Sequence, residues 1–445
     1  MAGEWKKVPL DSLYDFSSGL SKPREEFGFG HGFLSFKDVF YNYFAPDKLG
    51  ELVNSTERER QQCSILRGDV FLTRTSETMD ELGMSCVALK DYVGATFNGF
   101  TKRLRPKFRD VIFPEYAGYY FRSPGFRRDV TSMSSLSTRA SLNNEMLARL
   151  TIDVPPMEVQ TAIASILKAL DDKVELNRRM DATLEAMARA LFQSWFVDFD
   201  PVRSKLDGRS PAALDPATAA LFPEHLEDSP LGKKPVGWEF TVLENVLAVL
   251  ETGGRPKGGV GGITSGVPSI GAESIVSVGV FDFGKTKFVP VEFYEGMRKG
   301  HIESHDVLLY KDGGRPGEYE PHVSMFGDGF PFEKCSINEH VYRLRTNERL
   351  SQEYLYFWMT SEFALAEMRI KGTGVAIPGL NSNAVRSLGV LVPPRPIVDA
   401  FTRQAAPLIT RLLANAKQSR TLATLRDTLL PKLLSGELPL QPDHV

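Results

Sequence analysis

Two stretches carry the lettering of catalytic motifs. Gly279 to Thr286 reads GVFDFGKT and meets the spacing GxxxxGK[ST], in which backbone N–H groups and a lysine, here Lys285, would cradle phosphates. That chemistry needs a hydrophobic strand before the loop and a helix after it, whose N-terminus holds the anion. Here FVPVEF follows, with Pro290 and β-branched residues, so nucleotide binding is set aside. His301 and His305 lie four apart, as zinc ligands on a helix do. HIESH lacks a glutamate directly after the first histidine, however, and the strand-like DVLLY comes next. The Val-Pro-Pro runs at Val154 and Val392 are followed by Met157 and Arg395, not by the aromatic residue of an amino-methyltransferase motif; each reads as a strand end handing over to a helix. Cys63, Cys86 and Cys335 are widely spaced and fit buried thiols better than a disulfide frame or a metal site. No nucleophile with a partner base stands out. The chemistry that remains is that of binding.

Binding groups gather in polar loops that follow short apolar runs. Ser64 to Glu77, SILRGDVFLTRTSE, delivers Arg74 and Thr75; Ser304 to Gly314, SHDVLLYKDGG, delivers Lys311 and Asp312, with Arg315 just beyond. Strands that present such loops are good carriers of recognition side chains, although each loop is equally consistent with an ordinary surface turn. An arginine can bridge guanine O6 and N7, and an asparagine can bridge adenine N6 and N7. The net charge of −3 argues against a chain that coats polyanions indiscriminately, yet charge is uneven. From Lys102 to Arg149 ten basic residues, among them Lys102, Arg103, Arg105 and Arg139, face four acidic ones, a footprint for phosphate or simply a solvated surface.

The elements that must position these residues occur twice. Leu142 to Pro156, LNNEMLARLTIDVPP, is echoed at Leu380 to Pro394, LNSNAVRSLGVLVPP, with matches at Leu142/Leu380, Asn143/Asn381, Leu150/Leu388 and the Val-Pro-Pro triplets. The same offset continues through Asn177/Asn415, Leu184/Leu422 and Leu191/Leu429. Upstream the register drifts by a residue or two, pairing Asp69-Val70 with Asp306-Val307 and Arg103-Leu104-Arg105 with Arg343-Leu344-Arg345. A period this long is a duplicated domain rather than a solenoid repeat. One unit is a globular stretch followed by a helix.

The helices are the clearest elements. From Met157 to Asp200 there is neither Gly nor Pro, and apolar residues recur at Ile163, Leu170, Leu184 and Leu191, flanked by Ile166, Met180 and Met187. The second copy repeats the stripe at Leu408, Leu422 and Leu429, with Pro407 expected to delay or kink its start. Asn177 and Asn415 fall at equivalent stripe positions, where a polar residue can fix register, so the two helices are expected to pair antiparallel with these asparagines near their crossing. The alternative is two amphipathic helices, each covering its own domain. The expected domains are 1–156, the helix 157–200, a connector 201–237 rich in Pro, Ala and small polar residues, 238–394, and a C-terminal helix and tail 395–445. At 445 residues with 42% hydrophobic and 24% charged residues, real cores are affordable. With no run of about 18 apolar residues and no signal peptide, a cytoplasmic protein without a membrane span is expected.

The order of parts resembles the specificity subunit of Type I restriction-modification systems. The resemblance rests on ALFQSWFVDFDPV (Ala190 to Val202), ALFPEHLEDSPLGKKPVGW (Ala220 to Trp238) and LRDTLLPKLLSGEL (Leu425 to Leu438), and it covers essentially the whole chain. It implies an α+β fold of two similar mixed α/β target recognition domains, separated by two long antiparallel coiled-coil helices in a pseudo-two-fold duplication. It implies double-stranded DNA as ligand, read as a split, asymmetric target with one domain per half-site. It further implies two docked methyltransferase (modification) subunits and, through them, restriction/translocase subunits. The chain itself would be non-catalytic and hold no cofactor or metal, while the partner subunits would use S-adenosylmethionine, ATP and magnesium. Under this reading base specificity falls on Arg74, Thr75 and Arg139 in the first half and on Lys311, Arg315 and Asn381 in the second. Arg103, Arg105, Arg343 and Arg345 are phosphate anchors or structural residues within a strand. Lys102, Asn143, Asp312 and Lys371 complete the expected DNA-facing set. Two rivals stay open: a paired-helix interaction scaffold without DNA specificity, and a nucleotide-using enzyme with Lys285 on phosphate.

Overall fold

The computed structural model describes residues 5–75, 81–134, 142–211, 214–229, 232–438 and 440. Two compact units emerge, one formed by Met1–Lys173 with Leu422–Val445, the other by Val174–Thr421. Among the described residues no helix is long and apolar enough to cross a membrane.

The first unit contains β1 (Lys6–Pro9), β2 (Tyr14–Ser18), β3 (Phe27–Leu34), β4 (Glu51–Val53), β5 (Val70–Thr73), β6 (Ser85–Val87), β7 (Thr96–Phe97), β8 (Thr101–Pro106) and β9 (Thr151–Val154). A four-stranded antiparallel sheet has the order β2-β8-β5-β6, and a smaller sheet has the order β4-β3-β7 with β3 and β7 parallel. Strand periodicity divides the core in two. Val70 and Leu72 of β5 point into a cluster with Leu104, Tyr116 and Phe121, whereas Phe71 points the other way, onto Phe33, Cys86 and Phe97. β1 pairs with β9, so the chain leaves the domain beside its entry and runs through Pro155-Pro156 into a helix.

The second unit opens with the hairpin β10 (Leu226–Ser229) and β11 (Gly232–Pro235). It continues with β12 (Glu239–Val242), β13 (Leu247–Thr252), β14 (Val267–Ile270), β15 (Lys287–Val289), β16 (Asp306–Tyr310), β17 (Gly314–Arg315), β18 (Glu318–Tyr319), β19 (Val323–Phe326), β20 (Ser336–Ile337), β21 (Val341–Thr346) and β22 (Gly389–Val392). Its sheets repeat those of the first unit: β13-β21-β16-β19, then β15-β14-β20 with β14 and β20 parallel, then β12 against β22. The register repeats too. Val70 lies opposite Leu104 in one unit and Val307 opposite Leu344 in the other. The pairing expected from the drifted duplication is therefore realised strand for strand.

Each long helix, Met157–Phe196 and Arg395–Leu434, contributes to both units. In the first unit Ile163 and Leu167 share a core with Leu430, Leu433 and Leu434. In the second the helices run antiparallel: Asn177 meets Gln418 and Ser419, Asp181 meets Asn415, and Phe192 meets Phe401. Of the expected stripe, Ile163, Asn177 and Asn415 are buried, while Leu170, Leu184, Leu191, Leu408, Leu422 and Leu429 are half-buried. Ile166 and Met187, read as flanking the stripe, face outward, and Leu167, Ala188 and Phe192 take their place. Pro407 does not delay the second helix, which starts at Arg395 and continues past it. Pro407 is exposed, and the hydrogen bond it cannot donate is offset by burial of Phe401, Ala405, Ile409 and Leu412.

The stretch expected as a connector is more structured than its composition suggests. It holds short helices at Asp200–Leu206 and Pro216–Leu221. Val202 and Phe222 enter the second unit's core, where Phe222 lies 5.1 Å from Trp195.

Candidate nucleic-acid interface

Most of the strand-borne arginines are engaged inside the fold. Arg105 on β8 grips Asp69, whose side chain is 1% exposed, through Nε at 2.8 Å and Nη2 at 2.6 Å. In the other unit Asp306, fully buried, takes Arg343 Nε at 2.5 Å and Arg345 Nε at 2.8 Å. Arg343 also reaches Glu251 and Glu303. Burial opposes its charge, but these carboxylates outweigh burial and raise its pKa. Arg103, buried, donates to the Ser64 carbonyl and lies over the Phe97 ring. Of the two roles expected for Arg103, Arg105, Arg343 and Arg345, the structure gives them the structural one: each ties a strand to its neighbours and presents no free guanidinium.

The paired asparagines have an equally local explanation. Asn143 accepts the Met146 N–H and caps the helix Asn144–Arg149; Asn381 accepts the Ala384 N–H and caps Ser382–Arg386. Each satisfies an otherwise orphaned helix donor, which is why the residue recurs. Lys371 closes the last turn of Glu362–Lys371, pairing with Glu367 and donating to the Ser387 carbonyl and hydroxyl. Asn143, Asn381 and Lys371 thus each make a bond within their own unit, while both asparagines remain exposed. Arg139 lies outside the described residues.

Other groups are free. Arg74 follows β5, and its backbone is fixed on both sides: its N–H donates to Phe100 O and its carbonyl accepts from Leu142 N–H. Its guanidinium has no partner among the described residues, and Thr75 beside it is half-buried. Lys102 reaches the same region from β8. It is 9% exposed, and its ammonium donates to Asn144 Oδ1 at 2.9 Å and Ser18 Oγ at 3.1 Å, with no carboxylate partner among the described residues. Burial, then the Arg74 charge, lowers its pKa. Two cations without a counter-ion form a site that favours an incoming anion or acceptor.

The same backbone frame recurs in the second unit with different side chains. Lys311 N–H donates to His340 O, and Lys311 O accepts from Leu380 N–H. Lys311 lies 3.6 Å from Asp312, and Asp312 lies 3.0 Å from His340 Nδ1. Tyr342 takes the strand position of Lys102 and donates to Leu380 O. This half is charge-compensated where the first is cationic. Arg315 stands on the exposed ribbon β17–β18 with no side-chain partner among the described residues.

Comparison with known proteins now bears on this geometry. Residues 3–186 match the family described as Type I restriction modification DNA specificity domain. The chain is 24% identical to the Type I restriction enzyme MjaIX specificity subunit of Methanocaldococcus jannaschii over 98% of this chain and 94% of that one. Along nearly its whole length this chain is similar to a Type I restriction enzyme specificity subunit. The HindI specificity subunit of Haemophilus influenzae is also 24% identical, over 68% of this chain and 72% of its own length. The crystal structure of a Type I restriction-modification S subunit from M. genitalium shares the fold at a TM-score of 0.53 and 13% identity, covering 96% of both chains. Sequence reasoning passed over Ser18 and Asn144, which position Lys102. It also passed over Glu318, Glu320 and Arg369, which line a cavity with Arg315. Pairing the two copies strand by strand was the signal available for the first two; only the folded ribbon brings the others together.

Proposed function

We propose that this specificity subunit reads an asymmetric, bipartite sequence in double-stranded DNA, one half-site per unit. The observation that carries this reading is one strand framework used twice with different side chains at equivalent places: Arg74, Thr75 and Lys102 in one unit, Lys311, Asp312 and Tyr342 in the other. Identical frames suit a common docking geometry, and different tips suit different half-sites. Arg74 and Lys102 supply donors for guanine or phosphate, and Arg315 a donor fork for guanine. Asp312 adds an acceptor suited to cytosine N4.

The chain is proposed to act without catalysis or cofactor of its own, in the cytoplasm. Its long helices would dock two methyltransferase subunits and, through them, restriction/translocase subunits. Those partners would use S-adenosylmethionine, ATP and magnesium. The test is coexpression with the modification subunits and genome-wide mapping of methylated bases. Arg74→Ala is expected to relax one half of the motif and Arg315→Ala the other. A motif unchanged in both variants refutes the assignment, and duplex affinity that does not fall with salt would favour a scaffold without DNA specificity.

A further inference from the structure

The second unit carries an exposed surface that the engaged arginines leave unexplained. β17 and β18 form a short ribbon with Arg315 opposite Glu318, anchored by buried Tyr319, whose hydroxyl donates to the Tyr310 carbonyl. Beside it the segment 373–379 closes on itself: Thr373 N–H donates to Gly379 O at 2.9 Å and Gly379 N–H to Thr373 O at 2.8 Å. Gly313 N–H donates to Pro378 O at 2.8 Å, so ribbon and loop form one hydrogen-bonded platform. The contact demands glycine, since a Cβ on Gly379 would sit 2.6 Å from the Lys311 carbonyl oxygen. From this platform Val375 and Ile377 project into solvent, 88% and 71% exposed.

The neighbouring groups say what such side chains meet. Arg315, Glu318 and Glu320 are all exposed and, among the described residues, none is in an ion pair. A phosphate-binding face would be donors throughout, and two free carboxylates would repel it. A base-pair edge in the major groove presents acceptors on guanine, an amino donor on cytosine or adenine, and an apolar 5-methyl on thymine. A free guanidinium, two free carboxylates and two aliphatic side chains match that mixture. The aliphatic patch is also far smaller than the roughly 800 Å² per partner that a stable protein interface buries.

We propose that Val375 and Ile377 read the 5-methyl group of a thymine in the half-site contacted by the second unit, beside the base edge taken by Arg315. This rests on the DNA-reading function proposed above and adds to it the chemistry of one base. The side chains are held by backbone hydrogen bonds, so they meet the methyl group without first being ordered.

The test uses the subunit assembled with its modification subunits and a duplex bearing the methylation-mapped motif. Each thymine of the second half-site is replaced singly by deoxyuridine, which removes only the methyl. The native complex is expected to lose about 4-fold in affinity at one position, the equivalent of the ~0.8 kcal/mol that one buried methyl contributes. The Val375→Ser, Ile377→Ser double variant, with an unchanged unfolding midpoint, is expected to bind thymine and deoxyuridine duplexes alike. Equal binding of both duplexes by the native complex overturns the proposal, as does a second half-site with no A·T pair. A double variant that keeps full DNA affinity but fails to assemble with the modification subunits overturns it in favour of a protein contact. If Arg315→Ala still relaxes the second half-site while every deoxyuridine is silent, the methyl inference alone fails. If binding is indifferent to sequence throughout, the DNA-reading function fails with it.

Discussion

Arg343 and Arg315 are the same residue type in the same unit, and replacing them should have opposite consequences. The Arg343 side chain is 7% exposed and bonds Asp306 at 2.5 Å, Glu303 at 2.6 Å and Glu251 at 2.9 Å. Arg343→Met keeps the bulk and removes the charge. Asp306, fully buried, would retain Arg345 Nε at 2.8 Å and the Glu303 N–H at 2.7 Å, so it is not left bare. Glu303 is 60% exposed and returns to water at little cost, whereas Glu251, 19% exposed, keeps only the Gly300 N–H. The expected loss therefore sits at the low end of the range for breaking a buried pair, about 3 kcal/mol. With a denaturant slope near 3 kcal/mol/M, the urea midpoint falls by about 1 M. Trp195, Trp238 and Trp358 are all buried in this unit, so tryptophan fluorescence reports its unfolding directly. Arg315→Ala, exposed and without a partner among the described residues, should stay within about 0.5 kcal/mol of the native midpoint and alter DNA reading instead. An unshifted midpoint for Arg343→Met, or an equal shift for Arg315→Ala, refutes the division into engaged and free arginines.

Removing the repeated caps should cost about 1 kcal/mol each, whether by Asn143→Ala or Asn381→Ala, without changing the methylated motif; a changed motif would restore them as base readers. Asn177→Leu should raise the thermal midpoint, because the Asn177 carbonyl oxygen is buried without a partner among the described residues, while of the two side chains it would release Gln418 is exposed and Ser419 half-buried; a lower midpoint contradicts this. His305 bonds Glu353 at 2.8 Å and Asp328 at 3.0 Å; the Glu353 bond above all, against burial, raises its pKa. Its contribution is complete below the ordinary histidine value of about 6.5 and is lost as pH rises through the raised folded value. Glu353 and Asp328 are both lowered, burial being outweighed by their bonds, so their contribution is lost only in acid, below their ordinary range of about 4. The second unit's urea midpoint should therefore be higher at pH 5.5 than at pH 8.5, and His305→Gln should flatten that difference; equal slopes in both proteins would remove His305 from the account.

The duplication made much of the fold legible. Matched positions such as Val70/Val307 and Leu104/Leu344 are core residues on paired strands, and a misplaced strand would expose them, so their spacing survived in both copies. The helices were legible in extent, but Ile166 and Met187 were placed near the seam because apolar character does not reveal which side of a stripe faces the core. The connector was read as loose from its prolines and alanines. Its two anchors, Val202 and Phe222, are too few to show as a periodic pattern, and they matter only once Trp195 and Trp238 are beside them.

The site was legible in kind and not in detail, and the duplication explains where the line falls. A residue that holds the shared frame must be the same in both copies, whereas a residue that reads a half-site must differ if the half-sites differ. Asp69/Asp306, Arg103/Arg343, Arg105/Arg345 and Asn143/Asn381 are identical between copies, and each is engaged with its own fold. Arg74/Lys311, Thr75/Asp312 and Lys102/Tyr342 occupy equivalent backbone positions and differ. The identity of the asparagines follows from a capping requirement that both copies share. The same logic supports the reading role proposed for Val375 and Ile377. Their counterparts in sequence, by the offset that pairs Leu142 with Leu380, are Ser137 and Arg139, polar and cationic where these are aliphatic, so these positions differ between the copies as the proposal requires.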